Sequence, residues 1–145
     1  MLFRSIHGMA GLRLGYAVAP PKIAAAFAPL RMTWLNMFAP TAVRASLLDM
    51  DHLAESRRRT IAGRLLITNE LAAQGLRYAD AQGNFVFFDT GMPHERFAKA
   101  MLAEHVVVGR PFPPYANWCR ITVGTETETA WFLQALRRIR AAGLQ

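Results

Sequence analysis

Lysine is what this sequence has least of for its charge: Lys22 and Lys99 stand against fifteen arginines. Lysine supplies the titratable amine of Schiff-base chemistry. Arginine supplies a planar, permanently charged fork that grips carboxylate and phosphate through paired hydrogen bonds. The chain is therefore rich in anion grips and nearly empty of amine nucleophiles. Cysteine is scarcer still. Cys119 stands alone, which excludes an intrachain disulfide and points to a reducing, cytoplasmic location. No run approaches the ~20 apolar residues needed to span a bilayer. The opening stretch MLFRSIHGMAGLRLGY lacks the apolar core of a signal peptide. A soluble protein without a membrane partner is expected.

Several site motifs are missing too. Gly8, Gly11 and Gly15 match neither G-x-G-x-x-G nor a Walker loop. Gly8–Gly11 has the G-x-x-G spacing of a KH loop, but that loop joins two helices, and a strand is expected to follow here. His7, His52, His94 and His105 are scattered, with no i,i+4 pair and no C-x-x-C companion, so no metal site is expected. No G-x-S-x-G elbow supports a serine nucleophile.

What is present is a globular composition: 145 residues, 52% hydrophobic and 19% charged. A chain of this size buries roughly 70% of its unfolded surface. The net charge of +7 favours an anionic partner, whether nucleic acid, acidic lipid, or a small phosphate or carboxylate. The clusters Arg57-Arg58-Arg59 and Arg137, Arg138, Arg140 lie on predicted helices with no interleaved aromatic platform. They read as solvated helix faces, and nucleic acid is not expected.

Along the chain, residues 12–18 predict a short buried strand closed by Pro20-Pro21, followed by a helix interrupted near Pro29. Helical signals run from Pro40 almost to Gly75. Asp49 or Asp51 would cap the longer helix, Leu53, Ile61, Leu65 and Leu71 would form its apolar stripe, and Gly75 fits the position after its end. Then come a strand at Phe85–Phe88, a helix entered at Pro93, a strand at 105–109, a proline-rich loop at 111–114 and a strand at 119–124. Thr125 and Glu128 make a capping box before a last helix. The expectation is an α+β fold, about three strands with helices packed on one face. Cys119, beside Trp118 in a predicted strand, reads as a small core residue. Arg13 and Arg120 each interrupt an apolar strand pattern. An arginine there must reach an edge, find an internal ion pair or meet an anionic ligand, and the pattern leaves these open.

Two separated motifs carry a family resemblance. F-R-S-I-H-G-M-A-G-L-R-L-G-Y resembles the F-S-K-x-x-G-L-A-G-L-R-x-G-Y segment of fold-type I, pyridoxal-phosphate-dependent aminotransferases of class I/II. W-C-R-I-T-V-G-T-x-x-E resembles the R-I-T/S-x-G-T element near their C-terminal end. G-N-F-V-F-F and V-V-V-G-R-P lie between them in the order of the histidinol-phosphate branch. The resemblance runs over the whole chain and over about the C-terminal two-fifths of such an enzyme. It implies a remnant of the large cofactor-binding domain at 1–38 and the C-terminal small domain at 39–145.

The resemblance also implies roles. Arg13 matches the arginine that clamps the cofactor phosphate, and Arg120 the one that takes the substrate α-carboxylate. Arg110 falls near the arginine that holds the substrate phosphate, across a shorter loop, and Asn84 and Phe85 match a pair lining the mouth of the site. The implied partners are an amino acid, a 2-oxo acid and, since family members form dimers, a second copy of the chain. One position departs. Ser5 stands where the Schiff-base lysine is expected, preceded by Arg4 in place of the usual serine. A hydroxyl cannot form the Schiff base that an amine forms, so pyridoxal phosphate is not expected to be held covalently. The glycine-rich phosphate turn, the acid facing the pyridine nitrogen and the ring-stacking aromatic are also absent, as in a truncated or remnant enzyme. The competing expectations are a non-catalytic protein-interaction module reusing the small-domain fold, and the small domain of a related decarboxylase.

Overall fold

The computed structural model describes residues 6–13, 18–30 and 36–143. The chain divides into two compact units, residues 1–57 and 58–145.

In the first unit, Ala10–Leu12 form a single 3-10 turn that ends on Arg13 in the left-handed region, φ 56°. The predicted strand at 12–18 is therefore corrected at both described ends. Leu12 belongs to the turn, Val18 is 90% exposed, and residues 14–17 lie outside the described residues. Helix α1 (Pro21–Phe27) starts with a proline in its first turn, where no amide partner is missed. It tightens into a 3-10 turn at Ala28–Leu30, because Pro29 has no N–H to continue the α ladder. Helix α2 (Ala39–Leu48) buries only Ala39. Two bonds close this unit on itself: the His7 imidazole Nδ1 lies 2.6 Å from Ser46 Oγ, and Ser56 Oγ donates to Ile6 O at 3.1 Å.

Helix α3 (Met50–Ala73) begins where the Asp49 carboxylate accepts the His52 amide at 2.9 Å. It ends at Gly75, φ 69°. Gly75 N donates to Ala72 O at 3.0 Å and Leu76 N to Leu71 O at 2.8 Å, the paired bonds that only a left-handed residue after the helix end permits.

The second unit is built on two antiparallel strands, β1 (Phe85–Asp89) and β2 (Trp118–Thr122), paired from Phe85↔Thr122 to Asp89↔Trp118. Period-2 alternation sends Val86, Phe88, Cys119 and Ile121 to one face. There they meet Ile67 and Leu71 of α3, Phe97 and Met101 of α4 (His94–Ala103), and Phe132, Leu136 and Ile139 of α5 (Glu126–Ala141). Each fully buried aliphatic or aromatic side chain here contributes roughly 1.5–3 kcal/mol relative to exposure. Within α3 the apolar stripe differs from expectation: Leu65 is 52% exposed and Ile67 enters the core instead.

The expected count of about three strands is reduced to two among the described residues. Residues 105–109 run beside β2 and meet it through the backbone bond from Gly109 N to Arg120 O at 3.1 Å. The reason is local. Helix α4 closes with His105 at φ 61° and with Val106 N bonded back to Met101 O at 2.9 Å, so the start of this segment serves the helix end.

Thr125 and Glu128 form the reciprocal capping box that opens α5. Arginines of α5 sit on acids of neighbouring helices: Arg137 on Glu70, with Nε at 2.9 Å, and Arg138 on Glu104 at 2.9 Å of the α4 end.

Candidate functional site

The face of the sheet turned away from the helices carries Phe85, Phe87 and Asp89 from β1 and Trp118, Arg120 and Thr122 from β2. Phe87 lies opposite Arg120 in the register. Phe87 is the hub of a ring cluster, with centroids 5.7 Å from Phe112, 5.7 Å from Tyr115 and 5.0 Å from Trp118. Onto this apolar floor come two cations. The Arg120 guanidinium lies 5.1 Å from the Phe112 ring centroid and 5.5 Å from that of Phe85. That of Arg110 lies 4.4 Å from the same Phe112 ring. All three distances are within cation–π reach.

Neither guanidinium has an acid to neutralise it among the described residues. The one carboxylate on this sheet face, Asp89, is taken by Arg77 at 2.6 Å. Two cations against one ring, neither paired with an acid among the described residues, leave positive charge that can meet an anion. The side chain of Arg120 is exposed, so it escapes the burial that the apolar strand pattern threatened.

The backbone between the arginines is held from behind. Gly109 donates to Arg120 O, and its own carbonyl lies 2.8 Å from Nε2 of His94, the first residue of α4, which is 5% exposed. The contact requires the Nε2–H form of the ring, since a carbonyl only accepts. His94 N also donates to Ala116 O at 2.9 Å. A β-carbon on Gly109 would stand 2.5 Å from Arg120 O, so only glycine allows this approach. Beside it, an open depression of about 630 Å³ runs between residues 106–109, β2 and α5. The Thr129 hydroxyl lining it is buried and has no hydrogen-bond partner among the described residues.

Of the residues singled out in the sequence, Arg110, Arg120 and Phe85 are brought together here. Asn84 stands at the entrance of β1, where its carbonyl accepts Val123 N at 2.9 Å. Arg13 belongs to the first unit, exposed, with Nη1 bonded to Ala10 O at 3.3 Å. Ser5, and Arg4 before it, lie outside the described residues. Cys119 is fully buried, and desolvation pushes its thiol up to about 12, the opposite of an activated nucleophile. Sequence reasoning missed Phe112, Gly109 and His94. The signal for Phe112 was its place two residues after Arg110. His94 and Gly109 left none, because a lone histidine and a lone glycine fifteen residues apart have no local pattern.

The geometry can be set beside known proteins. The model of the class I and II aminotransferases matches residues 6–136. The chain belongs to this aminotransferase family. A histidinol-phosphate aminotransferase of Nitrosococcus oceani is 36% identical over 140 residues, 94% of this chain and 38% of the relative. A protein of Erwinia carotovora atroseptica assigned as a histidinol-phosphate aminotransferase superposes with a TM-score of 0.87 at 34% identity, covering 95% of this chain and 40% of its own. The histidinol-phosphate aminotransferase of Sinorhizobium meliloti, solved with pyridoxal 5'-phosphate, shares the fold with a TM-score of 0.78 at 24% identity, over 94% of this chain and 39% of its own. The chain thus spans about 38% of the length of the curated relative.

Pyridoxal phosphate is the cofactor of aminotransferases of this kind. The described residues fit it in part. The exposed Arg13 guanidinium suits a phosphate dianion. An amine for covalent attachment is another matter. Lys22 lies in the first turn of α1 and Lys99 on α4 of the second unit, and neither belongs to the motif that carries the lysine in the family. No helix among the described residues is long and apolar enough to cross a membrane.

Proposed function

We propose that this chain is the substrate-carboxylate-recognising portion of a histidinol-phosphate-type aminotransferase, in which Arg120 takes the α-carboxylate of an amino acid or 2-oxo acid. One observation carries the reading: Arg120 stands outward on β2, between Phe85 and Phe112, with no acid of its own among the described residues. A bidentate bond to a carboxylate uses the free edge of a guanidinium whose face is already occupied by a ring. Arg110 contributes the second positive charge, Phe85 and Asn84 the mouth of the site, and Arg13 the contact to the cofactor phosphate. In this reading residues 1–38 belong with the cofactor domain of the relatives and 39–145 with their small domain.

When bound, the cofactor supplies the electron sink for removing the Cα proton. Ser5 offers no amine to hold the cofactor or to move that proton, so the chain by itself binds substrate anions and does not transfer amino groups. Two measurements test this. Titrating 2-oxoglutarate into the chain should shift the Arg120 Nε–H resonance, and Arg120→Leu should abolish binding while leaving the fold intact. Pyridoxal phosphate followed by borohydride should leave no stoichiometric adduct on any one lysine. An unchanged Arg120 resonance at saturating oxo acid refutes the carboxylate reading, and a single stoichiometric lysine adduct refutes the inactivity.

A second reading is favoured by a different observation. Val18, Met37, Phe38, Leu30 and Phe27 of the first unit are large apolar residues that are 61–90% exposed, as in a non-catalytic interaction module. Binding to a protein partner without pyridoxal phosphate, undiminished in Arg120→Leu, would establish that reading instead.

A further inference from the structure

We infer that His94 is a positioning residue for the anion grip: its buried imidazole sets the placement of Arg110 and Arg120 over Phe112. The inference deepens the carboxylate reading and rests on it.

Arg110 opens the loop of residues 110–117, which does not fix its own ends, and Arg120 lies just beyond that loop in β2. Between Arg110 and β2 the tie is the Gly109 amide on Arg120 O at 3.1 Å. A single edge bond of this kind frays unless the residue that donates it is held from the other side as well. His94 holds it: Nε2–H donates to Gly109 O at 2.8 Å from a side chain that is 5% exposed. The same residue's backbone amide takes Ala116 O at 2.9 Å, near the other end of the loop. One residue at the rigid first turn of α4 thus clamps both flanks. The next residue after Gly109 is Arg110 itself, and the bond partner of Gly109 is Arg120. A displacement at Gly109 therefore moves Arg110 directly and loosens the edge bond on Arg120 O, while β1 holds the other edge of β2.

The site leaves little tolerance for such a shift. Both cations approach one ring, at 4.4 and 5.1 Å, and a carboxylate must meet fork geometry in a plane. A misplacement of about 1 Å in a positioned group costs as much as roughly a hundredfold. Sequence position alone makes His94 an unremarkable helix-start residue. Its buried donor, aimed at the carbonyl of the residue that precedes Arg110 and bonds Arg120 O, is what assigns the role.

The test compares three substitutions in the full chain. His94→Gln keeps an N–H at the position of Nε2, His94→Asn does not reach it, and His94→Leu removes it. Two readouts are taken. In the ligand-free chain, the ring of Phe112 displaces the Arg110 and Arg120 Nε–H resonances, which Phe112→Leu identifies. In the liganded chain, the Kd for 2-oxoglutarate is measured by calorimetry. The expected result is that His94→Gln keeps both ring-displaced resonances and the native Kd, while the Asn and Leu variants remain folded, lose the displacement and weaken binding about tenfold to a hundredfold. Displaced resonances and native affinity in His94→Leu would overturn the inference. So would loss of the fold in Asn while Gln stays folded, or loss of the fold in Gln, since the bond would then serve stability and not placement. If 2-oxoglutarate does not bind the native chain, the carboxylate reading has failed, and the ligand-free resonances still decide the role of His94.

Discussion

Replacing Gly109 with alanine puts one carbon where the fold has no room for it. The added Cβ stands 2.5 Å from Arg120 O, 3.5 Å from its carbonyl carbon and 3.7 Å from its Cβ, against an ordinary contact of 3.4–4 Å. The obstructing atom is backbone in a strand, so it cannot rotate away, and residue 109 must retreat by about 0.9 Å. The bond from residue 109 N to Arg120 O, already 3.1 Å long, then exceeds useful length, and the His94 contact at 2.8 Å is strained with it. Losing two such bonds costs about 0.5–1.5 kcal/mol each. Restricting the unfolded chain returns about 0.4–1 kcal/mol. The net expectation is a loss of about 1–2 kcal/mol, lowering Tm by roughly 3–8 °C. Urea denaturation read by circular dichroism measures the stability, and hydrogen exchange at residue 109 reads the bond itself. Gly11→Ala is the control, since nothing lies within 4 Å of its added carbon, and it should stay within about 0.5 kcal/mol of the parent. Gly109→Ala with parental stability and a still-protected amide would refute the close-approach argument.

Three further outcomes are expected. Cys119, its thiol raised to about 12 by burial, should resist iodoacetamide at pH 8 in the native chain and react fully in urea; stoichiometric native labelling would show that the core opens readily. Glu70 is held down at about 2, from an ordinary 4.5, by hydrogen bonds from Arg137 and then Gln74. A depressed carboxylate contributes stability that is present above pH 4.5 and lost as pH falls toward about 2. Glu70→Gln should remove that part of the acid-induced fall in the urea midpoint, by a modest amount because Arg137 is 62% exposed; an unchanged acid limb would dismiss the pair. The exposed apolar side chains of the first unit should drive self-association, so light scattering should show mass rising with concentration, and a concentration-independent monomer would disprove it.

Much of the local structure was legible because its causes are local. The capping box at Thr125 and Glu128, the left-handed stop at Gly75, the Pro29 interruption and the two strands at 85–89 and 118–122 all follow from residues within a few positions of one another. The strand expected at 105–109 failed because its period and β-branched run say what the segment could do in a sheet. They do not say that the end of α4 would claim Val106 first. Leu65 failed likewise: in a long helix, spacing allows more than one stripe, and only the core packed against α3 selects Ile67.

By itself the sequence determined the chemistry available: arginine forks at Arg13 and Arg120, a serine at the position where the family resemblance implies a lysine, and a lone cysteine without a partner. Tertiary structure alone decided how that chemistry is assembled. Arg110 and Arg120 share the ring of Phe112, and the Gly109 carbonyl beside Arg110 is held by a histidine fifteen residues upstream. Side-chain identity sets charge and hydrogen-bonding capacity residue by residue. Which cation lies over which ring, and which carbonyl meets which imidazole, depends on chain segments far apart in sequence, and only packing brings those together.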